Sequence, residues 1–401
     1  MGMTRTASCA ALLCAILAVL APAGEVFARE AGEEGFGEPA SYVNPFIGTQ
    51  RDGNTFPGPV VPFGMVQLSP DTGHYAGYSY DDPQIRGFSH THLSGVGCAT
   101  HGDVPFMPTT GEVRETAPEE YGSGFDHASE RAEPGYYAVT LDRYGVRAEL
   151  TATERTGWHR YTFPEGQGGN VLINVGESLS AEFDAGVWIS GDDTVEGFVT
   201  SGNFCASDNR YTVYFSARFD RPFERFGTWD GGTITGGSRR AEGPDAGAYV
   251  SFGTGGSREV VARVGISYVS VEGARRNLEA EASGRSFDEV RERAREAWNR
   301  ELSRVEISGA GPDQRAVFYT ALYHALLHPN IFSDADGRYM GWDGRVHRTD
   351  GGAQYANFSL WDTYRPQHQL LALLVPERAE DMLGSLLDIE REAGWLPKCA
   401  H

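Results

Sequence analysis

The chain has 401 residues with a formal net charge of −21, 40% hydrophobic and 11% aromatic residues. That is long enough for more than one core, so one large domain plus part of another is expected. The strongly acidic balance works against binding to nucleic acid phosphates or an anionic membrane surface, because both need clustered cations.

At the N-terminus, Arg5 precedes an apolar run from Ala7 to Ala21 and then Val26-Phe27-Ala28. This order predicts a signal peptide over residues 1–28, with the mature start near Arg29 and a secreted or periplasmic destination. The run is too short to favour a membrane-spanning helix. Cys9 and Cys14 lie in the leader, which leaves Cys98, Cys205 and Cys399. No disulfide framework follows from three cysteines in so long a chain; Cys98 and Cys205 either bridge or stay as two buried thiols, and the thiols are the blander reading.

From residue 40 to about 272 the sequence offers short alternating runs, such as Tyr136–Leu141, Val171–Val175, Tyr211–Phe215 and Val260–Ile266, separated by glycine-rich turns. They predict an antiparallel β-sandwich. Residues 277–304 change period. Ser286 with Glu289 three positions on forms a capping pair, followed by Val290, Ala294, Ala297, Trp298 and Leu302 at helical spacing, which predicts a helical linker. Beyond Gly311, Val317, Phe318, Ala321, Leu322, Ala325 and Leu326 predict a helix closed by Pro329. Pro366 opens another helix through Leu374, and residues 377–393 form a third that ends at Gly394. Three helices do not close a domain.

Three places carry candidate chemistry. His90-Thr91-His92, followed by Cys98, His101 and Asp103, would place two imidazoles on one face of a strand, suited to hydrogen-bonding a polyhydroxylated ligand or to bracing the loop; zinc is disfavoured because the spacing fits no zinc pattern. Trp361-Asp362-Thr363-Tyr364-Arg365, with His368 close behind, combines an apolar aromatic face for sugar C–H bonds with a carboxylate for paired hydroxyls. Its bland alternative is a core tryptophan beside an Asp362 that caps a helix or pairs with Arg365. Asp52-Gly53-Asn54-Thr55 offers the oxygen donors that a hard cation takes, or a simple Asx turn.

One stretch is rich in glycine and proline yet also in aromatic and aliphatic residues: Asn44-Pro45-Phe46-Ile47-Gly48-Thr49, then Gly53-Asn54-Thr55-Phe56-Pro57-Gly58, then Pro62-Phe63-Gly64-Met65-Val66-Gln67-Leu68-Ser69-Pro70-Asp71-Thr72. It has the composition of a rigid loop packed on a core. With Gly87-Phe88-Ser89-His90-Thr91-His92-Leu93-Ser94-Gly95 and Ser359-Leu360-Trp361-Asp362-Thr363-Tyr364-Arg365, it resembles glycoside hydrolase family 92, the calcium-dependent exo-acting α-mannosidases. The resemblance runs from Tyr42 to Lys398. It implies an N-terminal β-sandwich (40–272), a helical linker (277–304) and the start of an (α/α)6 catalytic barrel (311–401). It further implies inverting hydrolysis of terminal α-mannosides on mannose-containing glycans, with calcium as cofactor, Trp361, Asp362, Arg365, His90 and His92 toward substrate, and Asn54 toward the metal. In the family the general acid and general base lie downstream of Gly394-Trp395-Leu396-Pro397, so no catalytic residue is assigned here and the chain is expected to be inactive alone. The alternative is a carbohydrate-binding sandwich module without hydrolytic activity; Trp361–Arg365, after the linker, speaks against it.

Overall fold

A computed structural model describes residues 37–397, apart from 254 and 256. The expected leader and Cys399 lie outside the described residues. Two large antiparallel sheets dominate the first part. Seven strands pair in the spatial order Ser69–Asp71, Gly87–Ser89, Phe106–Thr110, Gly169–Ile173, Gly247–Phe252, Arg225–Asp230, Thr233–Gly236. Nine pair in the order Arg240–Glu242, Ala181–Ile189, Thr194–Gly202, Arg210–Phe219, Glu259–Ser267, Thr156–Thr162, Val146–Ala152, Tyr136–Leu141, Arg131–Glu133. Alternation along the strands decides which side is buried: Val146, Ala148 and Leu150 point inward while Arg147 and Glu149 are half-buried. Val171, Ile173 and Val250 of the first sheet and Val139, Leu150, Val213 and Val264 of the second join one continuous apolar cluster.

The nine-stranded sheet has a second apolar cluster, where Tyr136, Ala138 and Trp158 meet Leu278, Ala282, Phe287 and Val290. The last four come from two helices, Val271–Ala282 and Phe287–Leu302. Gly265 makes the approach possible, since a Cβ there would sit 2.4 Å from the Ala274 carbonyl oxygen. The expected single linker helix is therefore two helices, and the first begins at Val271. They break at Gly284, whose φ of +69° belongs to the left-handed region, and the second restarts with the expected capping box: Ser286 Oγ accepts from Glu289 N, and Glu289 accepts from Ser286 N at 2.8 Å.

Helices follow at Pro312–Ala325, Gln367–Leu374 and Pro376–Ala393, the last closed by Gly394 at φ +82°. On that last helix Met382 and Ile389 are buried, but Leu383 and Leu387 are exposed, as are Leu373 (78%) and Val317. Between these helices the chain makes two small antiparallel pairs that the helical reading missed: Asn330–Ile331 with Tyr355–Ala356, and a hairpin of Arg338–Met340 with Val346–Arg348. Asp336-Gly337 and Asp343-Gly344 are turn signals that mark them in the sequence.

The two histidines of the His90-Thr91-His92 motif require a correction. Both are buried, at 0% and 1% exposure, and hydrogen-bond within the protein instead of presenting imidazoles to a ligand. His92 lies between the Gln67 carbonyl (Nδ1, 2.8 Å) and Asp71 (Nε2, 2.9 Å), so it braces the rigid loop. His90 Nδ1 faces the Val104 carbonyl at 2.8 Å, its Nε2 faces His159 Nε2 at 3.0 Å, and His159 Nδ1 faces the Tyr161 hydroxyl at 2.8 Å. A carbonyl only accepts, so His90 carries its proton on Nδ1, accepts at Nε2 from His159, and leaves His159 Nδ1 to accept from Tyr161. The strand period failed because the pairing ends at Ser89. The disulfide question is also decided: Cys98 and Cys205 are joined, with Cα atoms 5.4 Å apart, and neither is buried.

The buried histidines and the disulfide each give a prediction. Burial pushes the His90 pKa down to about 4 and that of His159 well below its ordinary value. Because the folded state holds the neutral form, the contribution is fully present above about 6.5 and is lost as pH falls toward 4. Imidazole ¹⁵N shifts are expected to show both rings neutral at pH 5.5, and a ring already charged there contradicts the chain. The disulfide closes a sequence separation of 107 residues. Peptide mapping without reductant is expected to recover Cys98 linked to Cys205, and Cys98→Ser to lower unfolding stability by about 2–4 kcal/mol in denaturant titrations.

Candidate functional site

The rigid loop supplies one wall. Gly48, at φ +91°, turns the chain so that its carbonyl accepts from Thr55 N at 3.2 Å, and a Cβ on Gly53 would sit 2.2 Å from that same oxygen. The tight packing holds Asn54 in the left-handed region at φ 53°, where its backbone carbonyl accepts from Gly95 N at 2.8 Å. Asn54 Oδ1 is buried and has no hydrogen-bond partner among the described residues.

The neighbouring Ser94 N donates to His328 Nε2 at 3.2 Å, which brings in the C-terminal part of the chain. His328 Nδ1 faces Asn330 Oδ1 at 3.3 Å, and Asn357 Nδ2 donates to the same oxygen at 2.7 Å. Burial lowers the His328 pKa to about 4, so the ring is neutral, with its proton on Nδ1 and its acceptor toward Ser94. Gln367 Nε2 donates to the carbonyls of Ala325 and His328, at 3.0 and 2.7 Å, fixing the turn that carries His328.

Asn357 and Ser359 both have positive φ, 62° and 44°, and Phe358 between them is buried. This bend ends in the short helix Leu360–Thr363. Trp361 is 59% exposed, so it is not the core residue of the bland alternative. Asp362 accepts from the Ser359 hydroxyl, whereas Arg365 donates to the Tyr364 hydroxyl at 2.8 Å, so the Asp362–Arg365 pairing of the bland alternative is not formed. Thr363 Oγ1 and His368 Nε2 are 2.9 Å apart, which ties the motif to the next helix.

The structure thus joins Asn54, Ser94 and Gly95 to His328, Asn330 and Asn357, and Asn357 leads directly into Trp361, Asp362 and Arg365. It leaves His90 and His92 behind this surface. His328, Asn330, Asn357 and Gln367 went unnoticed in the sequence, although each lies within a few residues of an apolar run. The arrangement offers an exposed indole face, a carboxylate, amides and an ordered backbone, the donor and acceptor mixture that suits a polyhydroxylated ligand. An acceptor oxygen buried without a donor fits a hard cation, which takes neutral amide oxygens among its six to eight ligands. Asn54 Oδ1 is an oxygen of that kind.

Among the described residues no helix is long and apolar enough to cross a membrane. The solved α-mannosidase BT3965 of glycoside hydrolase family 92 from Bacteroides thetaiotaomicron is 35% identical, with a TM-score of 0.85, over 90% of this chain and 51% of its own. That protein is also solved in complex with mannoimidazole. The inverting mannosidase BT2199 of the same family, from Bacteroides thetaiotaomicron VPI-5482, is 31% identical, with a TM-score of 0.82, over 90% of this chain and 50% of its own. An uncharacterized secreted glycosidase of Arthroderma benhamiae is 24% identical, over 90% of this chain and 46% of its own. The chain therefore spans about half the length of the relatives it matches. Residues 42–267 match the glycosyl hydrolase family 92 N-terminal domain and residues 273–401 match the family 92 catalytic domain, so the chain belongs to glycosyl hydrolase family 92.

Proposed function

We propose that these residues form the substrate-facing N-terminal portion of a secreted or periplasmic exo-α-1,2-mannosidase that trims terminal mannose from glycans by inverting, calcium-assisted hydrolysis. The observation that carries this reading is the seam in which Asn54, Ser94 and Gly95 of the β-rich part meet His328, Asn330 and Asn357 beside the exposed Trp361 and Asp362. In this reading the two sheets (40–272) are the halves of a sandwich, residues 277–304 lie in a helical linker, and residues 311–401 begin an (α/α)6 barrel. The exposed leucines 373, 383 and 387 would face the rest of that barrel.

Trp361 would stack on the sugar ring, Asp362 would accept from paired hydroxyls, and Arg365 would stand at the rim. His90 and His92 would act only by bracing the loops that reach the substrate. Calcium, held in part by Asn54 Oδ1, would supply positive charge against sugar hydroxyls. Inverting hydrolysis needs a carboxylic acid and a carboxylate about 6.5–9.5 Å apart on opposite faces of the ring. Neither is assigned within these residues, so the 401-residue chain is proposed to be inactive alone.

The test is release of mannose from α-1,2-mannobiose, with and without calcium, by the 401-residue chain and by a version extended through the sequence encoded after codon 401. Activity confined to the extended version is expected. Calcium-dependent release by the 401 residues alone overturns the claim of inactivity, and mannose binding without release by either version favours a binding module. In the active version, Asp362→Asn is expected to lower kcat/KM at least tenfold, since a hydrogen bond to a charged group is worth about 1.5–3 kcal/mol. Asn54→Ala is expected to raise the calcium concentration needed for half-maximal rate.

A further inference from the structure

Away from this seam, the missed hairpin and the last long helix bring three ligating side chains together. Asp343 and His347 stand four residues apart across the hairpin tip, where Gly344, at φ +73°, completes the turn. Asp343 Oδ1 and His347 Nε2 are 2.9 Å apart. Glu392 arrives from the helix Pro376–Ala393, and its Oε1 lies 3.8 Å from His347 Nε2. One ligand atom from each residue falls within 4.8 Å of the others.

Several details make this a built site. The Glu392 side chain is only 8% exposed. Its carboxylate is oriented by two donors, the Tyr339 hydroxyl on Oε1 at 2.8 Å and Trp342 N on Oε2 at 3.0 Å, as outer partners orient a ligating carboxylate. The His347 ring stacks on Tyr339 with centroids 5.6 Å apart. Gly341 lies directly against the cluster: a Cβ there would sit 2.4 Å from His347 Cδ2 and 2.8 Å from both Asp343 Oδ1 and His347 Nε2. Its φ lies outside the left-handed region, so close approach rather than backbone conformation requires the glycine.

His347 Nε2 carries at most one proton, which it can direct at one carboxylate only. A divalent cation in place of that proton engages both. Zinc-to-ligand distances of about 2.0–2.2 Å set tetrahedral ligand atoms roughly 3.3–3.6 Å apart, between the two distances found here. One imidazole nitrogen with two carboxylate oxygens is a mixed donor set, unlike the all-oxygen cage that calcium takes. We propose that Asp343, His347 and Glu392 bind one divalent first-row transition ion, zinc foremost, with water completing its shell. The ion would clip the hairpin to the helix. Trp342, next to Asp343, lines a cavity of about 340 Å³ with Tyr211, Tyr268 and Phe332, so the clip would fix one wall of that cavity.

The test uses the tag-free 401-residue protein, stripped with chelator and titrated with Co²⁺ and then Zn²⁺, and it is independent of any mannosidase activity. One equivalent of Co²⁺ is expected to give a visible d–d absorption band that Zn²⁺ abolishes. His347→Ala, Asp343→Asn and Gly341→Ala are each expected to weaken Zn²⁺ binding at least about tenfold in calorimetry. Asn54→Ala is expected to leave it unchanged. Circular dichroism establishes that each variant is folded, and the nearly isosteric Asp343→Asn on an exposed turn serves if the others are not. Absence of saturable Zn²⁺ binding, or undiminished binding in folded His347→Ala or Asp343→Asn, overturns the proposal.

Discussion

The backbone of Phe63 is held on both sides by the C-terminal part of the chain. Its N–H donates to the Leu326 carbonyl at 3.1 Å, and its own carbonyl accepts from Ile331 N at 2.8 Å. The side chain is fully buried, and Phe63 adopts φ 58°, an uncommon conformation for a bulky residue that the packing around it must sustain. Everything at the candidate site hangs from this clamp. The stretch that follows it includes Gln67 and Asp71, which His92 braces, and the segment that grips it runs on through His328 and Asn330.

Two further ties lock the helix Val271–Ala282 into the same seam. Arg155, on the turn before the strand Thr156–Thr162, donates to the Ser333 carbonyl at 2.8 Å and pairs with Glu281 at 3.1 Å. Asn277 Nδ2 donates to Asp334 Oδ1 at 2.8 Å, and Ser267 Oγ donates to Oδ2 of the same carboxylate at 2.9 Å. Strand, helix and C-terminal segment therefore meet at buried polar groups. Such groups are costly to leave unpaired, so each of the three elements stabilises the other two. Trp298 adds an apolar anchor with the same property, for its indole N–H donates to the Val60 carbonyl at 2.7 Å. A site built across this seam gains its rigidity from the whole fold.

The histidines divide by environment. His90 and His159 are buried and His328 is half-buried; desolvation depresses the pKa of all three, so each is neutral, with one donor and one acceptor to spend on defined partners. His347, on the hairpin, is half-buried among carboxylates instead. The same side chain is a structural spacer in one setting and a candidate metal ligand in the other.

Sequence alone determined what depends on local order. The run Tyr136–Leu141 announces a strand, Ser286 with Glu289 announces a helix start, and Gly394 announces a helix end, because each of these is fixed by neighbours within a few residues. The three ordered motifs were also enough to point to family 92. The tertiary structure decided what depends on residues far apart in the chain: that His90 and His92 face inward, that Cys98 meets Cys205, that Val271–Ala282 and Phe287–Leu302 are two helices packed on a sheet, and that Asn54 and Ser94 lie in one seam with His328 and Asn357. No local pattern encodes which buried acceptor a histidine will meet, because its partners are supplied by strands and turns that only folding brings within about 3 Å.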